Sequence, residues 1–449
     1  MGIPYKVTVA LLLPITLLAQ SHPEMTQILE RLQRLEEQNK ALLSEIHALR
    51  EELSAATARP PETPAPESRA DAHLDERLTI AEQRIQDADQ AKVESEHKLP
   101  IRLTGTLLFN AFTNGRNSGG QQYPTAAALT PGPATDGGTL RQSILGLRFD
   151  GPRIFGGGKV TGSVFLDFWG GSASPLNQLV RLRVASVDLN WANTTFSVGQ
   201  DKPILAPRDP TSLAQVAFSP LTGAGNLWLW APQARLEHRF HFGEQSGLRA
   251  QIGVYQTSES TSSIPVEYHF SSSRPALQGR FEMWHQFGGE RRIEIAPGFH
   301  ISESHVAGLS VPSRVVSVDW LIRPTAMLDF TGTLFTGENT SVLGGQRQGI
   351  SFLANEEIHA VRGSGGWAQL TLRATNRLSF NFYGGKEDHR NADLCVGCIG
   401  NSETFAGNIF YRLGSNVIAS FEASQTRTTY LGTSVRLNPH YDLAIAYLY

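Results

Sequence analysis

The chain ends in the stretch YDLAIAYLY, from Tyr441 to Tyr449, in which every second residue is large and apolar or aromatic. Successive side chains of a β-strand point to opposite faces, so this alternation predicts a strand with one apolar face and one smaller, more polar face. An ordinary amphipathic edge strand also alternates in this way. It gives no reason, however, for an aromatic residue at the last position.

The same two-residue period recurs from position 101 to the end, and no convincing amphipathic helix interrupts it. The predicted strands are 101–113, 140–150, 159–169, 180–191, 194–200, 234–242, 248–257, 276–287, 291–302, 314–323, 327–336, 367–375, 377–385, 404–413, 416–427 and 436–449. Splitting the tail into 428–437 and 440–449 would give 17 strands. Single-chain bacterial barrels have even strand counts, so we take 429–435 as a short outer loop and predict 16 strands. The count rises to 18 if the loop 337–366 contains a hairpin near 349–353.

The connections between these strands alternate in length. Short turns at 191–193, 323–325, 375–377 and 413–415 are interleaved with long polar loops at 114–138, 201–231, 258–275, 337–366 and 386–402. A transmembrane up-and-down antiparallel barrel has this arrangement, with short turns on the periplasmic side and longer loops outside. A soluble β-sandwich gives no reason for every second loop to be long.

Charge is scarce in the strand-rich part of the chain. Residues 101–449 carry 53 charged side chains, about 15%, against roughly 25% in a typical soluble domain. Of the 28 basic residues in this region, 25 are arginine. A lipid-facing wall tolerates almost no charge, so this composition favours a barrel in a membrane. The net charge of −3 excludes a strongly basic nucleic-acid-binding protein.

The first 100 residues have a different character. Residues 1–19 predict a signal peptide, with Lys6 before an apolar run and Ala19 at the cleavage position. Residues 20–58 carry a heptad repeat that predicts a coiled coil, although a single amphipathic helix lying on a domain would show a similar pattern. A proline-rich linker (59–69) and a second periplasmic helix (70–99) follow, and the barrel occupies 100–449.

Together, the signal peptide, coiled coil, proline-rich spacer, strand pattern and aromatic end resemble Gram-negative outer-membrane porins. More narrowly, the chain resembles trimeric porins with an N-terminal periplasmic coiled coil, such as the DcaP-like group. It implies a homotrimer in outer-membrane lipid that forms a water-filled diffusion channel for small polar solutes, without a cofactor. The terminal strand resembles the C-terminal signature that the barrel-assembly machinery recognises. No stretch is a family-specific fingerprint, so the resemblance does not identify the solute.

Two other functions fit the same pattern. The coiled coil could contact peptidoglycan or a periplasmic partner, which would make the barrel the anchor of a structural tether. An outer-membrane barrel enzyme is the other alternative, but the sequence has no HExxH motif, and Gly363-Ser-Gly-Gly366 lacks the strand and helix of a hydrolase elbow. We therefore predict that the chain is not an enzyme and has no catalytic or metal-binding residues.

The segment 201–230 is the candidate for a loop that folds into the pore. It contains four prolines, which stiffen a loop, and it follows the fifth predicted strand, where trimeric porins fold their third outer loop inward. Its candidate pore-lining residues are Asp201, Lys202, Arg208 and Asp209. An ordinary outer loop is the alternative, because length alone does not show folding inward.

Charged residues on the neighbouring strands fall at the positions expected to face the lumen. They are Arg181, Arg183, Arg235, Arg239, Arg249 and Arg280, with Glu237 and Glu282 among them. Arginine binds carboxylate and phosphate in bidentate geometry, so an arginine ladder facing an acidic loop predicts a mild anion preference. Arg181 and Arg183 share odd numbering with the apolar Val187, which requires a β-bulge near Ala185 if both are placed correctly.

The two cysteines, Cys395 and Cys398, lie in the predicted outer loop 386–402. In an exported protein a disulfide is the expected state. A metal site needs about four ligands at defined positions, and two cysteines with His389 nearby do not supply them.

The disulfide predicts that the untreated protein does not react with a thiol-alkylating reagent, whereas the reduced protein gains two labels. Intact mass measured before and after reduction tests this. The variant Cys395→Ser is the control, because its single remaining thiol should label without reductant. Alkylation of both cysteines in the untreated chain would contradict the disulfide.

Overall fold

The computed structural model describes residues 101–449 except for 172–177, 257–269, 273–274, 307–308, 346–347 and 353–357. The predicted signal peptide, coiled coil, linker and second helix, at 1–19, 20–58, 59–69 and 70–99, lie outside the described residues. Within the described part of the chain, no helix is long and apolar enough to cross a lipid bilayer.

Sixteen antiparallel strands form one closed barrel. The strands are β1 Ile101–Asn114, β2 Ile144–Ile154, β3 Gly158–Gly170, β4 Leu179–Asn190, β5 Thr194–Asp201, β6 Ala231–His241, β7 Ser246–Tyr255, β8 Ala276–Gln286, β9 Arg292–Val306, β10 Leu309–Thr325, β11 Leu328–Glu338, β12 Arg362–Arg373, β13 Leu378–His389, β14 Ile399–Arg412, β15 Val417–Tyr430 and β16 Ser434–Leu448. Each strand pairs with its neighbours in sequence, as in an up-and-down barrel. The predicted fold and strand count are thus confirmed.

The barrel closes where β1 meets β16. The two strands pair in register from Thr106 opposite Leu448 to Asn114 opposite His440. On its other side β1 pairs with β2 through its first half and with a short strand, Thr135–Thr139, through its second half. Closure leaves no free edge in the sheet, so the strand backbones are hydrogen-bonded without water.

The alternative count of 18 strands is wrong. The segment between β11 and β12 does contain a hairpin, formed by Ile350–Phe352 and Ile358–Ala360, but it is a separate two-stranded sheet. Among the described residues, its two strands pair with each other and with no strand of the barrel wall. An alternating sequence pattern cannot show whether a hairpin joins the barrel sheet or forms a sheet of its own, because the alternation is the same in both situations.

Turns of two to five residues connect the strands at one end, and loops of two to 29 residues connect them at the other. The alternation in length is less regular than expected, since β9 and β10 are joined by two residues only, where the sequence predicted a loop from 303 to 313. β12 and β14 likewise begin five residues earlier than predicted, at Arg362 and Ile399. At this end the outward positions carry charged or small residues, so the apolar alternation fades while the strand continues.

The wall is apolar outside and polar inside. In β16, Leu443 and Ile445 are 54% and 49% exposed on the outer face, whereas Asp442 on the inner face is 1% exposed. On other strands the buried inward residues include Asn110, Asp319, Asn381 and Glu422. This inversion of the usual soluble pattern is the arrangement expected when lipid contacts the outside.

A β-bulge in β4 resolves the conflict at Arg181 and Arg183. On β3, Phe165 pairs with Val184 and the next residue pairs with Leu182, so Arg183 is the extra residue. The bulge therefore lies at Arg183, two residues before Ala185, near the predicted position. Because one residue is inserted, both arginines point inward while Val187, farther along the strand, is 47% exposed on the outer face.

The orientation of β16 predicts how charge is tolerated along one face. Leu443→Arg places a cation near the middle of the lipid-facing band and should lower the free energy of unfolding by about 2–4 kcal/mol. Val435→Arg, on the same face but near the loop end, should cost only about 0–1 kcal/mol. Equilibrium unfolding in guanidinium with the barrel refolded into lipid vesicles measures both. Equal effects would contradict a lipid-facing β16.

Candidate functional site: a constriction inside the barrel

Residues 202–230, which we call the inner loop, connect β5 to β6 and lie inside the barrel. Their hydrogen-bond partners lie on the inner face of strands around the wall. The partners include Gln278 on β8, Ser317 on β10, Gln369 on β12, Asn408 on β14, Glu422 on β15, Asn110 on β1 and Arg181 on β4. A loop that runs over the rim could not reach these positions.

Glutamine side chains of the wall hold the backbone of the inner loop. Gln142, just before β2, accepts the amide protons of both Val216 and Ala217 at 2.8 and 2.9 Å and donates to the carbonyl of Ala214. Gln278 and Gln369 accept the amides of Ile204 and Thr211, and Gln233 donates to the carbonyl of Lys202. A glutamine amide offers both a donor and an acceptor without adding charge. These bonds therefore position the loop without altering the charge of the lumen.

An apolar cluster packs the inner loop against the segment between β11 and β12. Leu205 and Leu227 of the loop are fully buried together with Leu343, which lies in a one-turn 3₁₀ segment, Thr340–Leu343, between β11 and β12. The carbonyl of Leu343 accepts the amides of Trp228 and Leu229 at 2.9 and 3.0 Å. Burial of a leucine side chain contributes about 1.5–3 kcal/mol, so this cluster fixes the second half of the loop, which leads back to β6.

Glycines allow the second half of the inner loop to lie close to the wall. A Cβ at Gly225 would lie 2.2 Å from the carbonyl oxygen of Gly366 on β12, and φ at Gly225 is +104°. A Cβ at Gly385 on β13 would similarly meet the carbonyl of Ala224 at 2.4 Å. Any larger residue would push the loop away from β12 and β13 and into the remaining passage.

Arg208 anchors the first half of the inner loop, which follows β5, to carboxylates of the wall. Its guanidinium donates to Asp319 at 2.8 Å, contacts Glu294 directly and lies 3.7 Å from Glu282. Asp319 is also bound by Arg280, at 2.7 and 2.8 Å, and both side chains are fully buried. The first half of the inner loop is therefore held by a network of positive and negative side chains.

The wall at β3 and β4 carries more cations than anions. Arg181 and Arg183 share the carboxylate of Asp167, at 2.6 and 2.9 Å, and donate to the loop carbonyls of Ala217 and Val216. Arg141, just before β2, lies next to this group, with its guanidinium 4.4 Å from the ring centroid of Trp169. Two guanidinium groups thus share the carboxylate of Asp167 and a third lies beside them, and we call these four residues the arginine cluster.

Aromatic rings line the same side of the lumen. Trp169, Phe218, Trp228 and Trp230 form a chain of edge-to-face contacts with centroid separations of 5.1 to 5.9 Å. Arg183 lies 4.4 Å from the centroid of Trp230, which adds a cation–π contact. These rings limit the orientations available to the guanidinium groups.

The remaining predicted residues lie farther from the arginine cluster. Asp201 and Arg235 form an ion pair of 3.0 Å at the root of the loop, and Lys202 contacts Asp209 directly. Arg239 pairs with Glu237 at 2.9 Å towards the turn end, and Arg249 pairs with Glu282 at 2.8 Å. All twelve predicted charged residues thus have a partner of opposite charge, although they do not converge on one point.

The expected separation of charge is wrong in one respect. The sequence predicted arginines on the wall opposite an acidic loop, but the inner loop itself contributes Arg208 to acidic residues of the wall. Both the inner loop and the wall therefore carry cations and anions, so the two signs are mixed on each side. Residue numbers alone could not reveal which loop side chain meets which strand.

Sequence reasoning missed Asp167, Glu294 and Asp319, which partner the predicted arginines. A lone acidic residue inside a charge-poor apolar segment, as at Asp319 in VVSVDWLIR, was an available signal. It also missed the glutamines, because glutamine carries no signature that separates a structural amide from a solvated one.

A second polar group contacts the loop near Ser212. Glu422 accepts bonds from Ser212, Tyr383 and Asn408 at 2.7 to 2.9 Å. Nearby, Asp442 accepts from Asn110 at 2.9 Å and from Tyr123 at 3.3 Å. Burial and the Asp442 carboxylate raise the pKa of Tyr123, in the first outer loop, well above its usual value, so the phenol remains a donor.

A cavity of about 790 Å³ lies between the inner loop and the turns. Its lining is part apolar and part polar, and the polar part includes Thr211 of the loop, Gln369, Asn381 and the ion pair of Arg373 with Asp329. The cavity forms a vestibule on the turn side of the constriction.

In the outer loop between β13 and β14, Cys395 and Cys398 form a disulfide with a Cα–Cα distance of 5.4 Å. Among the residues that the structure describes, no group of three or more His, Cys, Asp or Glu side chains is placed to hold a metal ion.

Solved structures with the same fold are outer-membrane channels. The channel DcaP of Acinetobacter baumannii matches with a TM-score of 0.64 and 15% identity, over 78% of this chain and 97% of that one. OmpF of Salmonella typhi, solved with daunomycin, matches with a TM-score of 0.52 and 12% identity, over 78% and 97% of the two chains. No protein-family model matches the sequence, and no curated protein matches it either. The resemblance to DcaP-like porins is thus confirmed for the fold, which is that of an outer-membrane porin barrel.

Arg208→Ala should loosen the inner loop. The change removes one of two arginine partners from Glu294 and from Asp319, which keep Arg292 and Arg280. The cost should therefore stay below about 3–5 kcal/mol, the cost of an uncompensated buried charge. Amide hydrogen exchange at Ile204 and Thr211 should therefore become faster. Arg239→Ala is the control, because its exposed pair with Glu237 is worth about 0–1 kcal/mol. Unchanged exchange in Arg208→Ala would show that the glutamines alone hold the loop.

Proposed function

We propose that this chain is an outer-membrane porin that forms a water-filled diffusion channel for small polar solutes, with a mild preference for anions. The observation that carries the proposal is a closed barrel with a polar interior, narrowed at one level by an inner loop beside the arginine cluster. Selection in such a channel comes from pore width and lining charge, and no chemical step is needed.

The anion preference is supported by the balance of charge around the inner loop. In the arginine cluster, three guanidinium groups accompany one carboxylate. In the network that holds Arg208, the cations Arg208, Arg249, Arg280 and Arg292 outnumber the anions Glu282, Glu294 and Asp319 by one. The excess is small, which is why we propose a mild preference and not strict selectivity.

We propose further that the protein is a homotrimer in the outer membrane, with the predicted coiled coil of residues 20–58 in the periplasm. The heptad repeat and the porin fold support this assembly. Recognition of the aromatic terminal strand by the barrel-assembly machinery, and contact of the coiled coil with peptidoglycan or a periplasmic partner, belong to the same proposal.

A structural tether is the second candidate, and one observation favours it. The inner loop is hydrogen-bonded to strands around the circumference, from β8 through β14 to β1 and β4. If these contacts close the passage, the barrel acts as an anchor only. Conductance in a planar bilayer separates the two functions, because a porin trimer should open in three equal steps and a sealed barrel should not conduct.

Paired substitutions in the arginine cluster test the selectivity. Removing a charge about 4 Å from a passing ion changes its energy by about 1 kcal/mol in water, which corresponds to up to about fivefold in permeability. Asp167→Asn should therefore raise the anion-to-cation permeability ratio, whereas Arg183→Gln should lower it. Reversal potentials in a salt gradient measure both. Arg239→Gln, which lies away from the cluster, is the control and should change the ratio least.

A cation preference in the unmodified channel that is unchanged in Arg181→Gln and Arg183→Gln would contradict the anion proposal while leaving the channel itself intact. Deletion of residues 20–99 separates the porin from the tether, because a pore should conduct without its stalk. Loss of conductance on this deletion, with the barrel still folded, would contradict an independent pore.

A further inference from the structure

Gln200, the last residue but one of β5, is a polar side chain on the apolar outer face of the barrel. It pairs with Ala185 on β4, which places it on the same face as Val187 and Val198, 47% and 48% exposed. An amide among apolar side chains costs free energy unless it is hydrogen-bonded. The position of Gln200 therefore requires hydrogen-bond partners, and the neighbouring strand supplies them.

The partners of Gln200 are backbone carbonyls of β4. Its amide nitrogen donates to the carbonyl of Leu182 at 3.2 Å and to that of Arg183 at 3.0 Å. The pairing of β4 with β5 ends at Ala185 opposite Gln200, so both carbonyls lie beyond the last paired residue. In a membrane wall every backbone polar group needs a partner within the protein. The side chain of Gln200 thus continues the hydrogen bonding of β5 past the end of the strand pairing.

These two carbonyls belong to the β-bulge of β4. The pairing of β4 with β3 passes from Val184 directly to Leu182, so Arg183 is the inserted residue. A bulge disrupts the ladder locally and leaves the extra residue unpaired. Gln200 therefore binds the backbone from the outer face at the place where the register of β4 changes.

The bulge decides where two side chains of the arginine cluster point. Strict alternation from the outward Val187 would turn both Arg181 and Arg183 to the outer face, because all three have odd numbers. With one residue inserted, both guanidinium groups reach the carboxylate of Asp167 inside the barrel, at 2.6 and 2.9 Å. The inward direction of these arginines thus depends on the backbone at the bulge.

We propose that Gln200 is a positioning residue for the arginine cluster. By holding the carbonyls of Leu182 and Arg183 from the outer face, it keeps the bulge that directs Arg181 and Arg183 into the lumen. Gln200 lies outside the passage, so it acts on solutes only through these two arginines. The inference rests on the proposed function, because it takes the arginine cluster as the source of the anion preference.

Gln200→Met tests this role, because it keeps the length of the side chain and removes the donor. The backbone at the bulge should relax and move the guanidinium groups away from the passage. The anion-to-cation permeability ratio should then fall by up to about fivefold, the limit for displacing one charge about 4 Å from the ion. Reversal potentials of the full chain in a planar bilayer under a salt gradient measure the ratio. Val198→Met is the matched control, because it places the same side chain at the preceding outward position of β5 and should leave the ratio unchanged.

A double-mutant cycle separates positioning from general damage to the barrel. In the background Arg181→Gln/Arg183→Gln, the change Gln200→Met should have no further effect on the permeability ratio, because neither guanidinium group is left to move. An equal fall in both backgrounds would overturn the proposal, since Gln200 would then act on the pore by another route. An unchanged ratio in Gln200→Met would also overturn it if Arg183→Gln alone lowers the ratio.

Amide hydrogen exchange tests the contact itself, independently of conductance. In Gln200→Met the backbone amides of residues 182–185 should exchange faster, by about fivefold for each lost hydrogen bond of about 1 kcal/mol. Val198→Met should exchange as the unmodified chain does. Gln200→Asn serves if the methionine variant does not fold, because an amide shorter by one methylene group cannot reach both carbonyls and should also speed exchange.

The two measurements distinguish failure of this proposal from failure of the anion preference. Faster exchange in Gln200→Met, in a chain whose permeability ratio does not respond to Arg183→Gln, would refute the anion preference and leave Gln200 as the residue that holds the bulge. Unchanged exchange at residues 182–185 in the Gln200 variants would overturn the positioning role whatever the selectivity of the channel.

Discussion

The structure depends on one constraint: in lipid, every backbone N–H and C=O group must be hydrogen-bonded within the protein. A sheet satisfies this only when it closes, and closure here is made by β1 and β16, whose pairing runs from Thr106 opposite Leu448 to Asn114 opposite His440. The closed wall separates two solvents, so its side chains must alternate between them. The apolar outer face, the polar lumen and the low charge content all follow from this separation.

A closed wall with a polar interior leaves room that must be filled, and this chain fills part of it with its own loop. The inner loop is held by uncharged amides, by an apolar cluster and by ion pairs, each acting on a different part. Gln142 binds the loop backbone at Val216, and Arg208 binds the wall carboxylate of Asp319. Leu205 and Leu227 pack in the apolar cluster. Beside the passage, the arginine cluster brings Arg181 and Arg183 to the carboxylate of Asp167, with Arg141 next to them against Trp169.

Charge therefore has two separate roles on the two faces of the wall. Inside, arginines are paired with carboxylates at short distances and also hold the loop. Because the charges nearly balance, only a small net charge is left to act on solutes. Outside, charged residues lie at the loop end above the lipid-facing band, where Arg362 pairs with Asp393 and Arg427 pairs with Glu403. The preference for arginine over lysine suits both places, since guanidinium groups bind carboxylate and phosphate in bidentate geometry.

The sequence by itself determined the barrel and, through the even count of strands in such barrels, the strand number, because a period of two in a closed sheet assigns each side chain to a face. It also indicated that a bulge must lie in β4, although the structure places it at Arg183. What only the tertiary structure decided were the long-range contacts: Arg208 with Glu294 and Asp319, and the glutamines with the loop backbone. These join residues from strands far apart in sequence, and local periodicity carries no information about which strand a folded loop will meet.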